Sequence, residues 1–198
     1  MNDPIEDAAR AALDGRLIVL PTDTVYGIGT RPDDAAATAR LFEAKGRPRE
    51  LELPVLVPSV VAAREIAVFD DRAEALTGRW WPGPLTIVLP RTEPSRTWDL
   101  GGDPSTIGVR MPHHPMALAV LARTGPLAIS SANRSAEPTG RDCDALTRVF
   151  GDVVDVYLCE EAGPAGRVST VVDLAHGAVR ILRPGGVTEE DIRSVLDA

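Results

Sequence analysis

The sequence predicts a layered α/β domain built on a mixed sheet, and three observations carry that reading. Apolar runs of strand length alternate with stretches of helical periodicity along the whole chain, the pattern of helices packed on a sheet. Residues 168–174 and 178–182 are close enough in sequence to pair as a hairpin, which makes the sheet mixed rather than purely parallel. Hydrophobic content of 44% beside 25% charged residues is that of a globular chain, and only 4% aromatics points to a core of Val, Leu, Ile and Ala. A length of 198 residues suits one well-buried domain over 1–198.

Taken in order, Asp3 followed by Pro4 reads as an N-cap and first-turn proline, opening a helix to about Leu13 that Gly15 stops. The run from Leu17 to Leu20 is a buried-strand pattern that breaks at Pro21 into Thr22, Asp23, Thr24, Val25 and Tyr26. That is the shape of a strand delivering a loop to a crevice, with Gly27 and Gly29 free to turn the chain or admit a ligand. A second helix runs from Pro32-Asp33-Asp34 to Ala44 and leaves Lys45 and Arg47 at its C-terminal end, where the dipole favours cations. A strand follows at 53–57. Ser59 caps a helix to Ala67, and 70–79 forms another.

Residues 80–90 read as a rigid Trp/Pro/Gly turn feeding an apolar strand. The loop at 91–104, rich in Gly, Pro and Asp, is long enough to serve as a mobile cover. A strand at 106–111 and a helix at 114–123 come next. Residues 127–133 repeat the logic of the first strand, an apolar run breaking into Ser130, Ser131 and Asn133. A loop spans 134–140, Asp142 caps a helix to Phe150, and 153–158 is a strand. The hairpin ends at Arg183-Pro184-Gly185-Gly186, and Thr188 with Asp191 forms an approximate capping box for the last helix.

Charge and motif spacing exclude several classes. A net charge of −8 argues against bulk electrostatic wrapping of nucleic acid, which needs clustered Lys and Arg. No apolar run approaches the roughly 20 residues of a membrane span, and the acidic start has no signal-peptide character. The cytoplasm is therefore the expected compartment. Cys143 and Cys159 show no zinc or redox spacing and are expected to be reduced. Phosphate-loop, dinucleotide and nucleophile-elbow motifs are absent, and His113, His114 and His176 lack metal-ligand spacing.

What remains is a set of cations and hydroxyls at strand ends: Lys45, Arg47, Thr106, Arg110, Ser131, Asn133, Ser169 and Arg183. Of 21 basic residues only Lys45 is a lysine. Such a set suits an anionic ligand, bound by planar guanidinium forks and a point charge. It would act by positioning reactants and neutralising charge on a transferring phosphoryl group. On the residues alone, surface ion pairs and an ordinary polar turn remain open as the alternative. Cations lining solvent are expected to add little stability.

Taken together, Pro21-Thr22-Asp23-Thr24-Val25-Tyr26-Gly27, Lys45-Gly46-Arg47-Pro48, Trp81-Pro82-Gly83-Pro84-Leu85-Thr86, Thr106 to Pro112, Ser131-Ala132-Asn133, Ser169 to Asp173 and Arg183-Pro184-Gly185 resemble the successive signatures of the YrdC family, the threonylcarbamoyl-adenylate synthases. The resemblance covers nearly the whole chain and is to the family's single-domain form. It implies a mixed twisted sheet with helices on both faces around a deep concave site. It also implies a reaction in which L-threonine, bicarbonate and ATP give threonylcarbamoyl-AMP and pyrophosphate, for later transfer to tRNA by a threonylcarbamoyltransferase complex.

Carried onto this sequence, the family pattern puts Lys45, Arg47, Thr106, Ser131, Asn133, Thr139 and Arg183 around ATP, with Lys45 and Arg47 as the catalytic cations. Thr24, Arg110 and Ser169, with backbone near Ile129, would hold threonine. Mg²⁺ would arrive on the triphosphate, with few protein ligands of its own. Three positions depart from the pattern: Leu51 stands where many relatives have Asn, Leu56 where some have His, and Ala136 where a glycine is usual. An RNA-binding module, or a paralogue acting on another carbamoyl or nucleotide substrate, is the alternative.

Overall fold

Asp3 accepts a hydrogen bond from the Ile5 N–H at 3.0 Å, and Pro4 occupies the first turn, so helix α1 (Pro4–Leu13) starts where the cap chemistry places it. The computed structural model describes residues 3–135, 137–160, 163–164 and 166–197. Helix α2 (Ala35–Lys45) is capped by Asp34 and closed by Gly46 in the left-handed region at φ 56°, which ends the helix directly after Lys45. The other helices are α3 (Val60–Ile66), α4 (Asp71–Trp80), α5 (Pro115–Thr124), α6 (Cys143–Phe150) and α7 (Glu189–Leu196). Ser59, Asp70 and Asp142 cap three of them as expected, and Thr188 with Asp191 forms a full capping box.

The strands are β1 (Ile18–Leu20), β2 (Gly27–Thr30), β3 (Val55–Leu56), β4 (Leu85–Pro90), β5 (Thr106–Arg110), β6 (Leu127–Ser131), β7 (Val156–Tyr157), β8 (Thr170–Asp173) and β9 (Arg180–Arg183). They form one sheet in the order β7-β1-β2-β6-β3-β5-β4-β8-β9. The pairs β1/β7, β3/β5 and β4/β8 are parallel and the rest antiparallel, so the sheet is mixed, with the β8/β9 hairpin at one edge.

Three elements differ from the sequence reading, one of them β3, which shrinks from the expected 53–57 to Val55–Leu56. Gly27–Thr30 is a central strand rather than a loop, because it is held by β1 on one side and β6 on the other. Its glycines are required by close approach: a Cβ on Gly29 would fall 2.3 Å from the Ala128 carbonyl oxygen, and one on Gly27 would fall 2.5 Å from the Ile129 side chain. The expected strand at 153–158 shrinks to Val156–Tyr157, with a 3₁₀ turn at Gly151–Val153 ahead of it.

The two cysteines also depart from expectation. Cys143 and Cys159 form a disulfide, with Cα atoms 5.7 Å apart. Spacing along the chain carries no trace of the pair, which forms because the chain reverses at Gly151 and runs back past α6.

Side-chain alternation divides the core between the two sheet faces. On one face Val19, Ile28, Val55, Ile87, Ile107, Val109 and Val172 pack with residues of α2, α3, α4, α6 and α7. On the other, Ile18, Leu20, Leu56, Leu127 and Ile129 pack with α1, α5 and Leu158. Helices thus lie on both faces, but the second core stops at β3 and β6. Beyond it, the same face of β5, β4, β8 and β9 carries Gly108, Arg110, Thr86, Val88, Val171 and Leu182, which line a cavity.

Candidate active site

That cavity measures about 390 Å³ and has a cationic pole at each of two groups of residues. The first pole is built on Arg110, the last residue of β5. Its guanidinium is buried, donating from Nε to the Gly83 carbonyl (3.0 Å), from Nη1 to the Thr24 hydroxyl (2.9 Å) and from Nη2 to Asp23 (2.5 Å). Burial lowers its pKa and the Asp23 charge opposes that shift, so the fork stays positive. A guanidinium has five N–H groups, which leaves one on each terminal nitrogen beyond these bonds. Thr24 is fixed in turn by Thr22, whose hydroxyl lies 3.0 Å away and also bonds the Val25 carbonyl at 2.6 Å. Ser169 lines the same cavity and lies 2.9 Å from the Thr86 hydroxyl.

The second pole consists of Arg47 and Arg183. Arg47 donates to the carbonyls of Leu51 (3.0 Å) and Glu52 (2.8 Å). Arg183 donates to the Ser169 carbonyl from Nε and Nη2, and to its hydroxyl at 2.9 Å. Gly185 permits this contact, since a Cβ there would lie 2.3 Å from the Ser169 carbonyl carbon. Burial, and then the Arg183 charge, hold the Arg47 pKa below its usual value. Two like charges facing one cavity form an anion trap.

Lys45 is placed differently from the sequence reading. It is 1% exposed and does not line solvent; its ammonium donates to the carbonyls of Ser131 (2.6 Å) and Asn133 (2.7 Å). Burial, followed by the Arg47 charge, lowers its pKa to about 8. Lys45 thereby clamps the Ser131-Ala132-Asn133 turn. Ser131 lines the main cavity and also a second one of about 360 Å³, which is bounded by Asn133 and Thr139 and shares Tyr26 and Val168 with the first.

Not every expected residue converges. Thr106 is buried at the start of β5, its carbonyl accepting from Arg91 Nε, and it lines neither cavity. Ile129 contributes a side-chain wall, while its N–H is donated to the Pro54 carbonyl at 2.9 Å. The 91–104 loop folds around the buried Arg91, which bonds the carbonyls of Ser95 and Trp98, and none of its residues is in the cavity lining. Leu51 and Leu56 line the cavity as apolar wall, and Ala136 lies outside the described residues.

Glu52 went unread in the sequence. It lines the cavity beside Arg47, and its Oε1 is buried without a hydrogen-bond partner, 3.7 Å from Arg91 Nη2. Burial pushes its pKa up to about 8, against the pull of Arg91. The only signal was a carboxylate between two leucines in an apolar run.

Comparison with known proteins agrees with this architecture. A family model, Sua5/YciO/YrdC, described as telomere recombination, matches residues 10–185. The chain is 43% identical over 195 residues to a putative threonylcarbamoyl-AMP synthase of Mycobacterium leprae, covering 97% of this chain and 87% of that protein. A crystal structure of P. abyssi Sua5 complexed with L-threonine superposes with a TM-score of 0.88 at 34% identity, over 99% of this chain and 58% of that one. E. coli YciO shares the fold at a TM-score of 0.84 and 24% identity, over 95% and 91% of the two chains. The fold, the ordered motifs and these matches agree: the chain belongs to the Sua5/YciO/YrdC family.

Proposed function

We propose that this protein is a threonylcarbamoyl-AMP synthase, a nucleotidyltransferase that forms threonylcarbamoyl-AMP and pyrophosphate from L-threonine, bicarbonate and ATP. The observation that carries the proposal is the pair of cationic poles in one cavity, Arg110 at one and Arg47 with Arg183 at the other. One chamber can thereby hold two anions of different kinds side by side. The relatives named as threonylcarbamoyl-AMP synthases, and the L-threonine in the P. abyssi Sua5 complex, support the same reading.

In this scheme the free N–H groups of Arg110 take the threonine carboxylate, with Thr24 and Ser169 beside it. Arg47, Arg183 and Ser131 hold the phosphates, and Asn133 and Thr139 bound the adjoining chamber. The threonine ammonium and bicarbonate form a carbamate, with loss of water and one proton. A carbamate oxygen then attacks the α-phosphorus, the bond to the β-phosphate oxygen breaks, and pyrophosphate leaves with the electron pair. Arg47 is the catalytic cation that neutralises the developing charge. Lys45 acts as a positioning residue through the two carbonyls it holds.

Mg²⁺ would come to the site on the triphosphate, whose oxygens would ligate it, and would screen the phosphate charge there. No cluster of three or more His, Cys, Asp or Glu suited to a metal occurs among the described residues, and Glu50 and Glu52 are carboxylates in the cavity wall.

The product is a mixed anhydride, open to hydrolysis, and is handed to a transferase that modifies tRNA. That role places the protein in the cytoplasm; no helix among the described residues is long and apolar enough to cross a membrane. Direct tRNA binding is weak, given the net charge of −8. The test is pyrophosphate release from ATP with threonine and bicarbonate supplied together and singly. Release requires both; release indifferent to either one overturns the assignment.

A further inference from the structure

Within the cavity assigned above to the nucleotide, two carboxylates, Glu50 and Glu52, are out of keeping with an anion site, and Glu52 is the one with a buried, unpartnered oxygen. It follows Arg47 by five residues in the loop between α2 and β3, and it shares the cavity wall with Arg47, Arg183, Arg110 and Glu50. Its Oε1 is enclosed and receives no hydrogen bond. Arg91, from the end of β4, is the nearest cation, yet three of its N–H groups are given to the carbonyls of Thr106, Ser95 and Trp98, and its remaining nitrogen stays 3.7 Å away.

We propose that Glu52 makes nucleotide binding proton-coupled: the cavity accepts the polyphosphate with the Glu52 carboxyl protonated, and the ionised carboxylate excludes it. The inference rests on the nucleotide reading of this cavity. Physically, an ionised Glu52 would compete with phosphate for Arg47 and repel it across a medium that screens poorly. In the protonated state the same side chain is a neutral hydrogen-bond donor.

The groups that set this balance come from every neighbouring element. Burial raises the pKa to about 8; Arg91 and the Gly108 backbone of β5 lower it, and Asp103, just before β5, raises it. Glu50 and Arg47 lie in the same loop and Arg183 on β9, while Asp99 acts on Arg91. An incoming polyphosphate adds negative charge beside the carboxyl and raises its proton affinity further. Lys45, behind Arg47, titrates in the same range, because burial brings its pKa to about 8 as well. Its deprotonation also weakens an anion site, so the experiment must separate the two groups.

The experiment measures Mg·ATP affinity by calorimetry, without threonine or bicarbonate, between about pH 7 and about pH 9, for wild type and Glu52→Gln. Loss of one coupled proton across a pKa near 8 predicts that wild type loses about tenfold more affinity over this range than the variant does. Equal losses in the two proteins assign the pH dependence to Lys45 and overturn the proposal while leaving the nucleotide site intact. Wild type that binds no nucleotide at any pH overturns the functional reading and this proposal with it. A measurement on wild type alone guards against a variant that folds poorly. Adding Mg·ATP at about pH 9 must raise the infrared band of a protonated carboxyl; a band unchanged on saturation with nucleotide refutes proton uptake by Glu52.

Discussion

Arg183 and Lys45 carry the same charge and make opposite demands on the protein. The Arg183 side chain is exposed on edge strand β9, so its removal takes little from the core. Arg183→Ala is expected to change stability by less than about 1 kcal/mol while strongly reducing pyrophosphate release. Lys45→Met instead leaves the Ser131 and Asn133 carbonyls without their donor, a cost of about 1–3 kcal/mol for each buried group left unpaired. Urea melts of the two variants check the contrast, and equal stability would show that the clamp contributes nothing.

Glu52 gives a pH signature of folding at the same scale. Its carboxyl in the folded chain has a pKa of about 8 against an ordinary 4.5, so the folded state holds the proton more tightly than the unfolded one. Stability from this source is present below pH 4.5 and is lost as pH rises toward and through 8. Lys45 has the opposite sign: its pKa falls from 10.5 to about 8, so its burial opposes folding at low pH and is relieved between 8 and 10.5. Together the two groups place a stability minimum near pH 8. Glu52→Gln should gain on wild type steadily from about pH 5 to about pH 8 in thermal melts. A constant gap would mean that Glu52 is ionised in the folded protein.

Among the elements, β2 owes its place to what its glycines lack. Gly29→Ala puts a methyl against the Ala128 carbonyl and is expected to cost about 1–3 kcal/mol by overpacking, read as a lowered urea midpoint. The Cys143–Cys159 link closes a 16-residue separation between α6 and the segment after β7. In the chain-entropy picture a loop of this size contributes about 3 kcal/mol. Melts with and without a dithiol reductant measure that difference, and coincident melts would show that α6 is held by packing alone.

These two elements also mark where sequence reasoning stopped. Helix starts were legible because Asp3, Ser59, Asp70, Asp142 and Thr188 act on N–H groups two or three residues away. β2 was not, because Gly27-Ile28-Gly29 has almost no side chains to alternate and its pairing depends on β6, about a hundred residues later. The disulfide and the raised pKa of Glu52 are likewise products of distant segments meeting, and no local pattern encodes them.

At the scale of the molecule, the site exists because five helices pack on one face of the sheet and only α1 and α5 contribute to the core on the other, among the described residues. Arg47, Arg110, Ser131, Ser169 and Arg183 were readable as strand-end or loop residues in a recognisable order, and the uncovered half-face brings them to one cavity. Thr106 lies at the start of β5 outside the cavity lining, because facing the correct side of a strand does not guarantee reaching the open part of it.

The burial of Lys45 has a practical consequence for following this molecule in solution. It is the only lysine in the chain, and it directly precedes Gly46 at the end of α2. A lysine-specific endoprotease therefore has one internal bond to cut, and in the native state the side chain it must grip is enclosed. Cleavage into two fragments of fixed size becomes a clock for local opening of the Ser131–Asn133 turn. Saturating Mg·ATP should slow that cut at low protease concentration, whereas cleavage as fast as in an unfolded control would mean that Lys45 is not held.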